Sequence, residues 1–329
     1  MVAILIFNWN GWQDTIECLS SLFKIDYDDY FVVLGDNGST NESKNKILSY
    51  CQTIDSSVQW ITNSPERFVG RQSRKKEIFL LDLEKNHGFA KGNNYLSTFA
   101  MTFSPNYYLL LNNDTEVEPD FLTKLVEYQI SHKEFHVLTP LIHYFYDKEL
   151  IWNGGGNLIW GIRKYHYADQ QDSVVREKEF IPCTFITGCA LFCTQDILMP
   201  DGKIFIESFF HGEEDFDFGL RMREREVKMG CVVKSVIYHK VGRSSSKTGN
   251  KIGLSYCYYL NRFINLRHHL NFISYYSFLL IYAPYVVQIL MKQKISFIKA
   301  LYYYGLLLKE SHQLDGVNRE KFLQCANLK

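Results

Sequence analysis

The chain has 329 residues, 46% of them hydrophobic and 22% charged. That is enough apolar material for one large α/β domain with an appendage, or for two modest domains, and it is not the composition of a disordered chain. Basic and acidic residues balance at 36 each, which argues against a general electrostatic grip on nucleic acid and makes any phosphate chemistry local. Eight cysteines scatter between Cys18 and Cys325 with no CxxC pair, so neither a zinc site nor a disulfide framework is suggested and a reducing cytosol is the natural setting. The apolar run Val2 to Phe7 has no basic n-region and no cleavage site, and it reads as a first strand that breaks in Asn8-Trp9-Asn10-Gly11. Helical spacing of Ile16, Leu19, Leu22 and Phe23 predicts a helix from Gln13 to Phe23, with Asp14 and Glu17 in its first turns. A second strand, Tyr30 to Leu34, closes in Gly35-Asp36-Asn37-Gly38-Ser39.

Residues 41–76 are polar, with a short strand expected at Val58 to Ile61 and a solvated basic cluster at Arg71, Arg74, Lys75 and Lys76. Ile78 to Leu83 is the next strand, and its loop, Asn86 to Asn94, carries Gly88 and Gly92 ahead of a helix through Met101. The run Tyr107 to Leu111 has the unbroken apolar character of a strand buried on both faces, and it stops in Asn112-Asn113-Asp114. A helix from Pro119 to Ser131 and a strand from His136 to Tyr144 follow, then a wide turn at Trp152 to Asn157. Phe185 to Cys193 alternates small and large residues and could pass beneath a substrate, with Gly188 leaving space. Acids crowd Gly212 to Asp217 at a helix start, and Cys231 to Tyr238 is a last strand ending in His239. The repeated order of strand, polar loop and helix predicts a mainly parallel sheet flanked by helices, whose carboxyl edge is the place for a ligand.

Asp36, Asp114, Asp215 and His239 would converge if these loops meet at one edge. Asp114 with an imidazole suits Mg²⁺ or Mn²⁺ held chiefly by a diphosphate, since hard cations need few protein ligands when a substrate supplies oxygens. Asp215, in a turn dense with carboxylates, could have a raised pKa and take a proton from an attacking hydroxyl. Each residue also has a plainer reading: Asn-Asn-Asp as turn chemistry, the acids as a helix start favoured by the dipole, and His239 as a structural histidine.

The succession IFNWNG (Ile6–Gly11), DNGS (Asp36–Ser39), NHGFAKGNN (Asn86–Asn94), LLLNND (Leu109–Asp114), ITGCALF (Ile186–Phe192), GEEDFDFGLRMRE (Gly212–Glu224) and YHKVGRS (Tyr238–Ser244) resembles the family-2 inverting glycosyltransferases of the GT-A fold. Within them it is similar to bacterial rhamnosyltransferases of surface-polysaccharide assembly. The resemblance implies a Rossmann-like α/β domain over residues 1–250. It also implies that Asn8, Asn10 and Asp36 line a nucleoside pocket, with Asp36 accepting from a pyrimidine N–H. Asn86, Gly88 and Lys91 would contact nucleotide or sugar, Asn112-Asn113-Asp114 would stand in place of the DxD motif, Asp114 and His239 would bind the metal, and Asp215 would be the base. Asn112 replaces the first acid of DxD, and Lys91 stands where glycine is common. The implied reaction moves a sugar, rhamnose among the candidates, from dTDP or UDP to a hydroxyl of a growing surface glycan or lipid-linked saccharide, with inversion. The setting would be the cytoplasm or the cytoplasmic face of the inner membrane.

Residues 251–329 change character, becoming rich in tyrosine and phenylalanine, and Phe272 to Met291 carries no charge. Three readings stand open for this helical appendage: packing on the enzyme or a partner, a membrane-surface hairpin with peripheral contact through residues 255–300, or a true span weakened by Pro284 and Gln288. Two rival functions are a non-catalytic nucleotide-sugar or carbohydrate-binding protein on the same scaffold, and a nucleotidyltransferase. The second usually opens with a glycine- and basic-rich loop that NWNGWQD lacks.

Overall fold

A computed structural model describes residues 1–61, 72–241 and 250–328. Arg71 of the basic cluster and residues 242–244 of the last motif lie outside the described residues. The first half alternates strands and helices: β1 (Val2–Asn8), α1 (Trp12–Leu22), β2 (Tyr30–Asp36), α2 (Ser43–Ile54), β3 (Trp60–Ile61), β4 (Glu77–Asp82), α3 (Phe89–Met101) and β5 (Tyr107–Asn112). Its strands lie parallel in the order β5-β1-β2-β4-β3. Strand β1 is central because both of its faces are apolar. Ala3 and Leu5 pack into one core with Phe31, Val33, Leu96 and Phe99, while Ile4 and Ile6 pack into the other with Leu19, Leu22 and Ile47.

The second half adds β6 (Thr115–Val117), α4 (Phe121–Ser131), β7 (Phe135–Tyr144), β8 (Leu150–Asn153), β9 (Gly156–Ile159), β10 (Ile162–Tyr165), β11 (Gln170–Gln171), β12 (Phe180–Cys183), β13 (Ala190–Thr194), α5 (Glu214–Glu224) and β14 (Lys228–His239). Strand β13 runs antiparallel between β5 and β7, and β14 pairs parallel with β7 and antiparallel with β6 and β12. The result is a mixed, mainly parallel sheet flanked by helices, as the sequence predicts.

Two local expectations change. The strand expected from Val58 shrinks to Trp60–Ile61, because the Val58 N–H donates to Asp55 O and its carbonyl accepts from Gln52, which keeps it in the turn that ends α2. The turn expected across Trp152 to Asn157 is instead the junction of β8 and β9, pivoting on Gly154 and Gly155. Gly155 has φ +79°, and a Cβ there would meet the Cys183 sulfur at 2.2 Å.

Four helices follow: α6 (Lys251–His269), α7 (Phe272–Met291), α8 (Phe297–Gln313) and α9 (Arg319–Ala326). They do not form a separate core. Tyr256, Leu260 and Phe263 of α6 share one buried cluster with Phe185, Phe209, Phe216 and Leu220 from the sheet half.

Candidate functional site

Strand register sets the site. Asn8 lies opposite Asp36, and Phe7 opposite Asn112, so β1, β2 and β5 end together at the carboxyl edge. A cleft opens there. Asn37, Asn86, Asn112, Asn113 and Asp114 supply its polar wall, and Phe7, Trp9, Phe89, Phe210 and Phe322 its aromatic one, with Gly88 and His211 between them. The polar wall is wired together: Asn37 Nδ2 donates to Asn86 Oδ1 at 3.0 Å, the His87 N–H to Asn37 Oδ1 at 2.8 Å, and the Gly88 N–H to Asn86 Oδ1 at 2.9 Å. Gly88 has φ +82°, and a Cβ would meet the Phe210 carbonyl at 2.1 Å, so glycine is what lets these two walls close.

The predicted nucleotide residues divide. Asn86, Gly88, Asn112 and Asn113 line the cleft. Asn8 and Asp36 are fully buried beneath it. Asn8 Nδ2 donates to Asp36 Oδ2 at 2.7 Å, the Ser39 N–H fills Oδ1 at 2.8 Å, and Asn8 Oδ1 accepts from Thr15 Oγ1 at 2.9 Å. A nucleobase reaches Asp36 only if one of these contacts opens. Asn10 braces the same loop, accepting from the Thr40 N–H at 2.9 Å. Lys91 lines an adjoining cleft with Lys85 and His87, 3.9 Å from Glu207.

Pairing of β14 with β6 sets His239 opposite Thr115, and the Lys240 N–H donates to Asp114 O at 3.0 Å. His239 Nε2 thereby comes 3.2 Å from Asp114 Oδ1. Lys240, 2% exposed, anchors this junction to α1 through Asp14, at 2.9 Å, and Glu17, which explains those two acids better than the helix dipole does. Burial works against a charged His239, yet Cys189 and Asp114 beside it push the imidazole up to about 10. Burial likewise raises Asp114, and the His239 contact more than offsets it, holding the carboxyl below its usual range.

Among the described residues no group of three or more His, Cys, Asp or Glu side chains could enclose a cation. The pair nonetheless fits a two-ligand site. Its ligand atoms would be Asp114 Oδ1 and His239 Nε2, the imidazole giving up its proton when the ion binds. Adjacent ligands of an octahedral ion at about 2.1 Å stand roughly 3 Å apart, close to the separation seen here.

Asp215 does not line the cleft. It opens α5, where Arg163 Nη1 donates to its Oδ1 at 3.1 Å. The two parts are joined through aromatic rings: Trp152 stands 4.5 Å from His239 and 6.3 Å from Tyr165, which shares β10 with Arg163. The turn into α5 is backbone-strained, with Gly212 at φ +82° and Glu213, a buried non-glycine residue, at +75°. Arg262 of α6 holds it. Its Nε and Nη2 grip the Glu213 carboxylate, Nη2 at 2.7 Å, its Nη1 donates to Gly161 O at 2.6 Å, and its guanidinium lies 3.7 Å over the Phe216 ring. At the far side His269 bridges Asp217 at 2.9 Å and Glu224 at 2.7 Å. The raised carboxyl that the acidic turn predicts is Glu214, pushed up to about 8 by burial first and by Asp215 and Glu213 second.

Sequence reading passed over Asn37, Glu214, Arg262, Phe210 and Phe322. Asn37 follows Asp36 directly and was within reach of the same loop argument. Phe322 reaches the cleft because Phe210 N–H donates to Val317 O at 2.8 Å, which brings α9 to rest its ring 5.3 Å from Phe210 and 5.7 Å from His211.

Comparison with known proteins places this architecture. Residues 2–193 match the sequence model of glycosyl transferase family 2, and the chain belongs to that family. Its architecture is that of the GT-A fold. Among solved structures it is similar to GalNAc-T7 with UDP, GalNAc and Mn²⁺ (TM-score 0.61, 15% identity), covering 98% of this chain and 56% of that one. It is also similar to the mannosyltransferase PcManGT from Pyrobaculum calidifontis with GDP-Man and Mn²⁺ (TM-score 0.50, 12% identity), covering 95% of this chain and 75% of that one. The chain thus spans little more than half the length of GalNAc-T7, and at such identities the likeness shows the fold alone. No curated protein matches it significantly in sequence.

Proposed function

We propose that the protein is a metal-dependent inverting glycosyltransferase that moves a hexose, with rhamnose a candidate, from a UDP- or dTDP-sugar to a hydroxyl of a growing surface glycan or lipid-linked saccharide. The observation that carries this reading is Asp114, just past the end of β5, with a buried carboxylate oxygen 3.2 Å from His239 Nε2, in the cleft where the parallel strands end. GalNAc-T7 and PcManGT were each solved with a nucleotide or nucleotide sugar and Mn²⁺, which supports a nucleotide-sugar donor and a divalent ion, Mg²⁺ or Mn²⁺, here.

Asp114 and His239 would hold that ion, and the charge it supplies would offset charge on the departing diphosphate. The asparagine wall then presents amide donors and acceptors to ribose and phosphate, and Trp9 and Phe210 offer faces for a base or sugar ring. Asp215 is the general base: once Arg163 yields its contact, the carboxylate takes the acceptor hydroxyl proton while that oxygen attacks the anomeric carbon from the side opposite the nucleotide. Until then Arg163 Nη1 sits 3.1 Å from the Asp215 carboxylate. Residues 1–250 are taken as the catalytic unit and 251–329 as its helical partner. The work is placed in the cytoplasm, at the inner face of the membrane that carries the acceptor, with residues 255–300 the part nearest lipid.

Thermal unfolding with UDP-, dTDP- and GDP-sugars in Mn²⁺ or Mg²⁺ tests the donor assignment. A ligand at a hundred times its Kd adds about 2.7 kcal/mol, so a pyrimidine nucleotide sugar with metal should raise Tm by several degrees and Asp114→Asn should lose that rise. No shift with any donor, or an undiminished shift in the variant, would contradict it.

A further inference from the structure

Of the residues from 255 to 300, α6 has little to offer a membrane, since Tyr256, Tyr259, Leu260, Phe263, Ile264 and Leu266 are spent on the core. The hairpin of α7 and α8 is different. Its inner side is committed to protein: Phe278, Leu279, Val286 and Leu290 are buried, and Tyr304 Oη donates to the Leu279 carbonyl at 2.6 Å. Its outer side is apolar and bare. Ile273 is 77% exposed and Leu280 77% on α7, and Ile298 is 80% and Tyr302 66% on α8. A Cβ at Gly305 on α8 would meet nothing within 4 Å.

Over Leu270 to Leu308 charge on this hairpin has one sign and one place, and Glu310, farther along α8, is turned inward to Tyr256 and Lys321. From Leu270 to Leu308 there is no acidic residue, and the only charges are Lys292, Lys294 and Lys299, at and just beyond the turn between the helices. None of the three forms an ion pair among the described residues. An apolar face edged by cations and free of acids matches the interface of an anionic bilayer, where side chains enter the acyl boundary and lysines meet lipid phosphates. Helix α7 is long and apolar enough to cross a membrane, but one third of its most apolar window is already buried in protein, and a spanning helix would have to give up that packing.

We infer that the α7–α8 hairpin lies flat in the surface of an anionic membrane, its outer face inserted and its lysine turn on the lipid headgroups. This rests on the membrane-borne acceptor proposed above and narrows the contact from residues 255–300 to one face of two helices. Helix α8 leads through Val317 into α9, so the docked helices are continuous with the one whose Phe322 walls the cleft.

The test is co-flotation of the full chain with vesicles of phosphatidylcholine alone or mixed with phosphatidylglycerol. Binding to the mixed vesicles should exceed binding to neutral ones about tenfold or more and fall in high salt. The charge reversal Lys292→Glu, Lys294→Glu, Lys299→Glu and the apolar-face variant Leu280→Glu, Ile298→Glu should each lose most of it, with unchanged circular dichroism and melting temperature reporting intact folding. Equal flotation with both vesicle types, no flotation, or folded variants that float like wild type would overturn the proposal. So would a wild-type dimer that the apolar-face variant converts to monomer, and so would retention after a carbonate wash, which marks a span. Flotation needs no donor or turnover, so its failure and a failure of the glycosyl-transfer reading are seen in separate measurements.

Discussion

Glu214 and Asp215 are neighbours in sequence with opposite surroundings. Asp215 meets the guanidinium of Arg163 at 3.1 Å, whereas Glu214 turns into the protein, where its Oε2 has no partner. Folded, Glu214 keeps its proton until pH nears about 8, and unfolded it releases it near 4.5. Between those values the folded state binds more protons, so stability falls as pH rises, by up to about 1.4 kcal/mol per pH unit. Glu214→Gln, which has no proton to lose, is predicted to match wild type near the lower value and to be the more stable protein near the upper one. Urea unfolding at both ends of the range checks this, and a wild-type-to-variant difference that does not change with pH would remove the buried-proton account. The acidic cluster was visible in the sequence, but the division of labour within it was not. Which carboxylate faces Arg163 depends on β10, a strand 52 residues upstream that the sequence pattern did not reveal.

At the level of elements, α6 fastens α5 at both of its ends, through Arg262 to Glu213 and through His269 to Asp217 and Glu224. Arg262 also ties down Gly161, in the turn between β9 and β10, so the strand that bears Arg163 and the helix that bears Asp215 hang from one guanidinium. Arg262→Met leaves the Glu213 carboxylate buried without its partner and is predicted to cost about 3–5 kcal/mol of stability; Glu213→Gln in the same chain should restore part of it. Full stability in the single variant would show the pair to be dispensable. Strands β1, β2, β4 and β5 were legible because each is a continuous apolar run ending in polar, glycine-containing or amide-rich residues. The β8–β9 junction was not, because Gly154-Gly155-Gly156 reads as turn whether or not strands flank it. Nor did anything local mark Arg262, which lies 49 residues from its partner.

The molecule as a whole is one packed object in which the carboxyl-terminal helices complete the sheet half. They share its core, brace its acidic turn and lend Phe322 to the cleft. The sequence reading expects Asp114 and Asp215 on the two sides of one sugar carbon; the structure brings Asp114, Asn86 and Asn112 to one cleft with His239 against Asp114, and leaves Asp215 outside that cleft, on Arg163 beyond Trp152 and Tyr165. The most direct measurement of the account is turnover by wild type and Asp215→Asn, with the donor chosen by thermal shift, Mn²⁺ and a membrane glycolipid extract as acceptor source. Nucleoside diphosphate release and the anomeric configuration of the product would both be followed. Wild type should release nucleoside diphosphate and form the inverted glycoside, and Asp215→Asn should bind donor normally while turning over about 10²- to 10⁴-fold more slowly. Retained configuration, release of pyrophosphate in place of the diphosphate, or near-normal turnover by the folded variant would contradict it.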